Sequence, residues 1–159
     1  MDFQILLGLL MTILPVFELR GGLPVIVEYA VRNNLNIWPL FVLVLILNIL
    51  IIFFIYFFLD FLHENFMKIN FYKKFMHRYL ERVRRRAEKV QKQMDNLGFL
   101  ALALFVAIPL PGTGAWTGTL VAWILNLNRL KSFIAISCGV VIAGFIILFA
   151  SLGFFSWFS

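Results

Sequence analysis

The order of apolar and polar positions divides the chain into a series that occurs twice. From Phe3 to Leu14 the residues are almost all apolar, and the stretch ends at Pro15-Val16-Phe17-Glu18-Leu19-Arg20-Gly21-Gly22-Leu23-Pro24. A dozen helical residues reach about 18 Å, against a bilayer core of about 30 Å, so this arm enters a membrane without crossing it. A shorter arm, Val25 to Val31, runs on to the polar exit Arg32-Asn33-Asn34. Leu35 to Leu59 is then apolar for long enough to cross, interrupted by Asn36, Pro39 and Asn48. An amide at Asn48, near the middle of a span, predicts a hydrogen bond to a neighbouring helix.

After a charged stretch the series returns. Leu97 to Ile108 is again a short apolar arm, broken at Pro109-Leu110-Pro111-Gly112-Thr113-Gly114-Ala115-Trp116-Thr117-Gly118. Leu120 to Leu127 is the second short arm, closed by Asn126, Asn128, Arg129 and Lys131. Phe133 to Phe158 can cross, with Gly139, Gly144 and Gly153 as packing positions and Trp157 as an interfacial anchor. Twofold repetition of a broken-helix unit is the mark of an internal structural repeat.

Composition agrees: 62% of residues are hydrophobic and 19 are Phe, which excludes a soluble domain and predicts an all-α integral membrane protein. The net charge of +6 changes meaning once its location is seen, because ten of the 14 Lys and Arg lie between Lys68 and Lys92. That concentration is the positive-inside signature of a cytoplasmic segment, not a nucleic-acid surface. Within it, Tyr72, Met76, Tyr79, Val83, Ala87, Val90, Met94 and Leu97 recur in steps of four and three, predicting a basic amphipathic helix over 61–96. Such a helix suits an anionic lipid surface or a coiled-coil partner.

Each short-arm pair is either one kinked span or a re-entrant hairpin that enters and leaves on one side. Two hairpins put twelve basic residues inside and one, Arg32, outside; two kinked spans put ten inside and three outside. The first distribution fits the positive-inside rule better. The expected organisation is a single membrane domain over 1–159. Its parts are re-entrant hairpin 1 (1–34), a transmembrane helix (35–60), the cytoplasmic amphipathic helix (61–96), re-entrant hairpin 2 (97–130) and a second transmembrane helix (131–158). The hairpins then form an inverted repeat whose tips approach each other in mid-membrane. Asp2-Phe3-Gln4 lacks the basic region of a signal peptide, so no cleavage is expected. Cys138 reads as a small packing residue, and His63 and His77 as interfacial side chains without metal-ligand spacing.

The candidate chemistry sits at the two breaks. Glu18 and Arg20 are ionisable groups inside apolar surroundings, where such residues usually mark a pathway. The guanidinium fork of Arg20 suits a phosphate or carboxylate, and a partly desolvated Glu18 is a candidate proton carrier. A competing reading has the two neutralise each other as a structural ion pair. Gly21, Gly22, Gly112 and Gly114 allow backbone N–H groups to point at an anion, and the helices after each break begin with positive dipole ends. Pro24, Pro109 and Pro111 enforce the breaks, Thr113 and Thr117 add hydroxyls, and Trp116 reads as packing. No cofactor or metal site is expected, and no enzyme, since no nucleophile–base pair, paired carboxylates or metal spacing occurs in the apolar spans.

The segments 15–24 and 109–118 resemble those of the small multi-drug export protein family, and the resemblance covers nearly the whole chain. More distantly, the layout is similar to the DedA (VTT) membrane protein superfamily. That likeness implies two opposed re-entrant hairpins, movement of polyprenyl-phosphate or phospholipid carriers, and acidic and arginine residues at the hairpins, for which Glu18 and Arg20 are the matches. The second hairpin departs from the pattern, with no arginine between Leu97 and Leu127. The expectation is therefore a small transporter, exporter or lipid flippase that binds an anionic or amphipathic substrate at the paired tips, with Glu18 as the coupling group. The alternative is a non-transporting scaffold or lipid-scrambling accessory that works through the basic helix. Membrane lipids are the expected partners, and two spans with two half-spans make a thin wall that favours a homodimer.

Overall fold

A computed structural model describes residues 3–66, 98–110 and 112–157, without the side chains of 64–66 and 156. The basic helix expected over 61–96 lies mostly outside these residues. Every element among those described is a helix: α1 (Phe3–Ile13), α2 (Glu18–Arg32), α3 (Ile37–Phe66), α4 (Gly98–Ala107), α5 (Ala115–Ile124) and α6 (Arg129–Trp157). Within α3 and α6, Ile37–His63 and Arg129–Phe155 are each 27 residues with mean hydropathies of 3.1 and 2.7. At 1.5 Å per residue each reaches about 40 Å, enough to cross a bilayer core; the other helices are too short.

The first break is narrower than the sequence suggests. Proline and glycine at 15–24 predict an unwound tip, yet α2 starts at Glu18 and carries Arg20, Gly21, Gly22 and Pro24 within its helix. Only Leu14 to Phe17 leave the helical path, closed by the Glu18 N–H donating to the Leu14 carbonyl at 2.9 Å. Burial overrides the local breakers: Leu19, Leu23, Ile26, Val27 and Ala30 form one buried face of α2. In an apolar medium each unmet backbone group would cost several kcal/mol, and packing along this face adds dispersion contacts, so the helix continues through a proline that costs about 3 kcal/mol.

α1 and α2 run side by side in opposite directions. A Cβ at Gly8 would meet Ile26 and the Gly22 carbonyl, and one at Gly22 would collide with Thr12 and the Gly8 carbonyl. Small residues at 8 and 22 therefore let two backbones approach closely, the usual solution where lipid supplies no hydrophobic drive. Gly139 serves the same purpose in α6, against Val106 and the Ala103 carbonyl, while Gly144 makes room for the Leu45 side chain. Gly153 faces open space, so its expected packing role is absent, and Cys138 points outward from α6 and is not a packing residue.

The two halves share a terminating device, Asn-Leu-Asn. Asn34 and Asn126 both have positive φ, at 50° and 51°, which asparagine tolerates better than most residues. Beyond each, a leucine N–H reaches back to close the helix: Leu35 to the Ala30 carbonyl at 2.9 Å, and Leu127 to the Ala122 carbonyl at 3.0 Å. The second asparagine of each triplet then caps the next helix. Asn36 Oδ1 accepts the Trp38 N–H, and Asn128 Oδ1 accepts the Lys131 N–H, each at 3.1 Å.

Candidate functional site: two breaks clasped together

The residues at the two breaks meet, though not as an ion pair. Among the described residues Glu18 and Arg20 form no salt bridge with each other; each engages the opposite break. The Trp116 backbone N–H donates to Glu18 Oε1 at 3.1 Å, so the carboxylate caps the start of α5. Arg20 donates to the Leu110 carbonyl, to the Ile108 carbonyl at 3.3 Å and to Thr113 Oγ1 at 2.8 Å, just beyond the end of α4. An acid thus sits at a helix N-terminus and a base at a helix C-terminus, both complementing the helix dipoles.

Other backbone groups left open by the breaks are met in the same way. Asn48 Nδ2, on α3 and almost wholly buried, donates to the Thr12 carbonyl at 3.1 Å. Trp116 Nε1 donates to the Ile13 carbonyl at 3.0 Å. The last two carbonyls of α1 are therefore satisfied from α3 and α5. In an apolar medium each unmet group would cost several kcal/mol, so these side chains decide whether the breaks can exist there. Asn48 is the interhelical link expected of it, and Trp116 adds hydrogen bonding to packing.

Glycine is required at two places in the clasp. Gly112 has φ +83°, a left-handed conformation that turns the chain between α4 and α5. Gly114 faces the Glu18 carboxylate so closely that any Cβ there would occupy the same space. The Gly21 N–H is taken up within its own helix, donating to the Phe17 carbonyl at 2.9 Å, and the neighbouring Thr113 N–H donates to the Leu110 carbonyl at 3.2 Å. Gly22 is spent on the contact with α1, and the Thr117 hydroxyl bonds to the Gly114 carbonyl of its own turn at 3.3 Å. Pro24 lies within α2, and Pro111 lies outside the described residues.

Beside the clasp is a cleft of about 260 Å³, lined by Pro15, Phe17, Glu18, Arg20, Pro109 and Gly112, among others. Glu18 is 6% exposed, with its carboxylate on the start of α5, whereas Arg20 is only partly buried. Both charged groups border the cleft, the guanidinium being the more exposed of the two, and among the described residues its hydrogen-bond acceptors are neutral oxygens. Glu18 also departs from ordinary backbone geometry, with φ +48°. A left-handed non-glycine residue costs about 1–2 kcal/mol, held here by the carboxylate's seat on α5.

A second polar cluster escaped the sequence reading. Asp60, near the end of α3, accepts hydrogen bonds from Arg129 NH1 and NH2 at 2.8 and 3.0 Å and from Trp123 Nε1 at 3.1 Å. The His63 ring meets Trp123 edge-on at 5.4 Å. A lone acid closing an apolar span and a lone arginine opening another were the available signals.

Comparison with known proteins finds no match among curated proteins and none among solved structures. The family described as "Putative small multi-drug export protein" matches residues 18–146, which takes in Glu18 and Arg20, the whole second break and most of both long helices. That assignment and the two long apolar helices fit a membrane protein. The match covers well over half of the chain, and the protein belongs to this family of small export proteins.

Proposed function

We propose that the protein is a small exporter or lipid flippase in which two opposed re-entrant hairpins, α1–α2 and α4–α5, form an inverted repeat and hold an anionic or amphipathic substrate beside Arg20. Polyprenyl phosphates and phospholipids are the candidate substrates. The observation that carries the reading is the guanidinium of Arg20, bordering a cleft of about 260 Å³ with neutral oxygens as its partners among the described residues. A charge so placed gains more from an incoming anion than it loses in carbonyl hydrogen bonds, because charge-assisted bonds are roughly twice as strong as neutral ones.

The hairpin reading is supported by the side-by-side packing of α1 and α2. Gly98 and Phe99 at the start of α4 and Leu127 and Asn128 just beyond α5 line one void of about 20 Å³, which supports the same reading for the second hairpin. Glu18 is the proposed proton carrier: protonation removes the negative charge from the start of α5 and weakens the hold of one break on the other. A homodimer is part of the proposal, thickening the wall around the pathway, and a mass measurement in detergent distinguishes it from a monomer.

The test is flux in proteoliposomes, with a fluorescent phospholipid and a fluorescent polyprenyl phosphate as separate probes. Arg20→Gln and Glu18→Gln, each inserted normally, are expected to abolish movement of the probe that the native protein carries. Unchanged flux in both variants overturns the proposal. Loss of flux on deletion of the basic segment, with both point variants active, favours a scaffold working through that segment.

A further inference from the structure

Helix α5 is pinned at both ends by acids from other helices. At its start the Trp116 N–H donates to Glu18 of α2; near its end Trp123 Nε1 donates to Asp60 of α3, each at 3.1 Å. Asp60 is also gripped by both terminal nitrogens of Arg129, the first residue of α6, whose guanidinium carbon lies 6.0 Å from the centre of the Tyr56 ring. The equivalent junction between α2 and α3 is built differently. Its ion pair, Glu28 with Arg32 at 2.9 Å, lies within α2 and ties it to no other helix. With ten residues, α5 is a rod of about 15 Å, short enough to move as one body.

We propose that α5 is a strut coupling the cleft beside Arg20 to a gate formed by Asp60, Trp123 and Arg129, closed in this structure. The inference rests on the cleft being the substrate site. A ligand that draws Arg20 off the Ile108 and Leu110 carbonyls and Thr113 loosens the turn that leads into α5, and loss of the Glu18 charge weakens the hold on the Trp116 N–H, leaving the Trp116 Nε1 bond to the Ile13 carbonyl as the remaining tie at that end. The rod then tilts and strains its far attachment, where two tryptophan contacts and a two-pronged ion pair must give way together. Coupling of this kind is reciprocal: weakening the gate must loosen the clasp by the same factor.

Ser132 is a reporter for the gate, since it is 3% exposed, one turn beyond Arg129, and lines a void of about 20 Å³ with Asn128 and Lys131. With Ser132→Cys in a Cys138→Ala background, labelling by a membrane-impermeant maleimide should be slow. Asp60→Asn should speed it about tenfold, the effect of losing roughly one charge-assisted hydrogen bond. Arg20→Gln and Glu18→Gln should each speed it several-fold from the other end of α5. Acceleration by Asp60→Asn with none from either clasp variant overturns the coupling; no acceleration by any of the three overturns the gate as well.

The reverse direction uses a change that keeps an aromatic side chain, smaller than the indole, and removes its N–H. Trp123→Phe should speed hydrogen exchange at the Trp116 amide several-fold, and an unchanged rate there overturns the strut even if a clasp variant fails to fold. Neither measurement needs a transported substrate. Coupled labelling with full flux in Arg20→Gln would count against the substrate reading and leave the strut standing.

Discussion

Glu18 combines a left-handed backbone, a buried carboxylate and a glycine pressed against it, and each feature depends on the others. Gly114→Ala places a methyl where the carboxylate sits, so it should displace Glu18 from Trp116 and destabilise the protein by about 1–3 kcal/mol, read as a lower melting temperature in detergent. Combined with Glu18→Ala the loss should be less than additive, because both changes break the same contact. Arg20→Lys keeps the charge but lacks the fork that reaches Leu110, Ile108 and Thr113 together, and should lower the melting temperature while retaining part of the flux. The sequence made Glu18 and Arg20 visible because charge is costly in apolar surroundings. Their partners were invisible, since Ile108, Leu110 and Trp116 contribute backbone groups that any residue possesses.

At the scale of elements, arm length was readable by counting: no stretch of a dozen apolar residues can cross a bilayer, and α1, α4 and α5 are correspondingly short. The start of α2 was not readable, because Gly21-Gly22 and Pro24 are local breakers overridden by the need to satisfy backbone groups in an apolar medium and by the packing of Leu19, Leu23 and Ile26. The repeated Asn-Leu-Asn shows as polar punctuation in the sequence, while its left-handed first asparagine shows only in the backbone. Asn126→Gly should change stability by only a few tenths of a kcal/mol, and Asn126→Val should cost about 1 kcal/mol or more, with the same order at Asn34. Unfolding curves in a single detergent check the order. Equal effects of Gly and Val at either site would show that the helix ends do not depend on these turns.

For the whole molecule, the hairpin reading places the two Asn-Leu-Asn elbows on opposite sides of the membrane. In a Cys138→Ala background, Asn34→Cys and Asn126→Cys should react with an impermeant maleimide from opposite faces of the vesicle; reaction from the same face fits kinked spans instead. The central claim, that the facing breaks of one chain enclose the transport path, is tested by bridging the cleft. Val16 and Pro109 line its two sides, one from each break. With Val16→Cys and Pro109→Cys, in a Cys138→Ala background, joined by a short reducible bifunctional thiol reagent, flux should stop, the link should form within a single chain, and reduction should restore flux. Full flux through the bridged protein, or links that form only between chains, would contradict it.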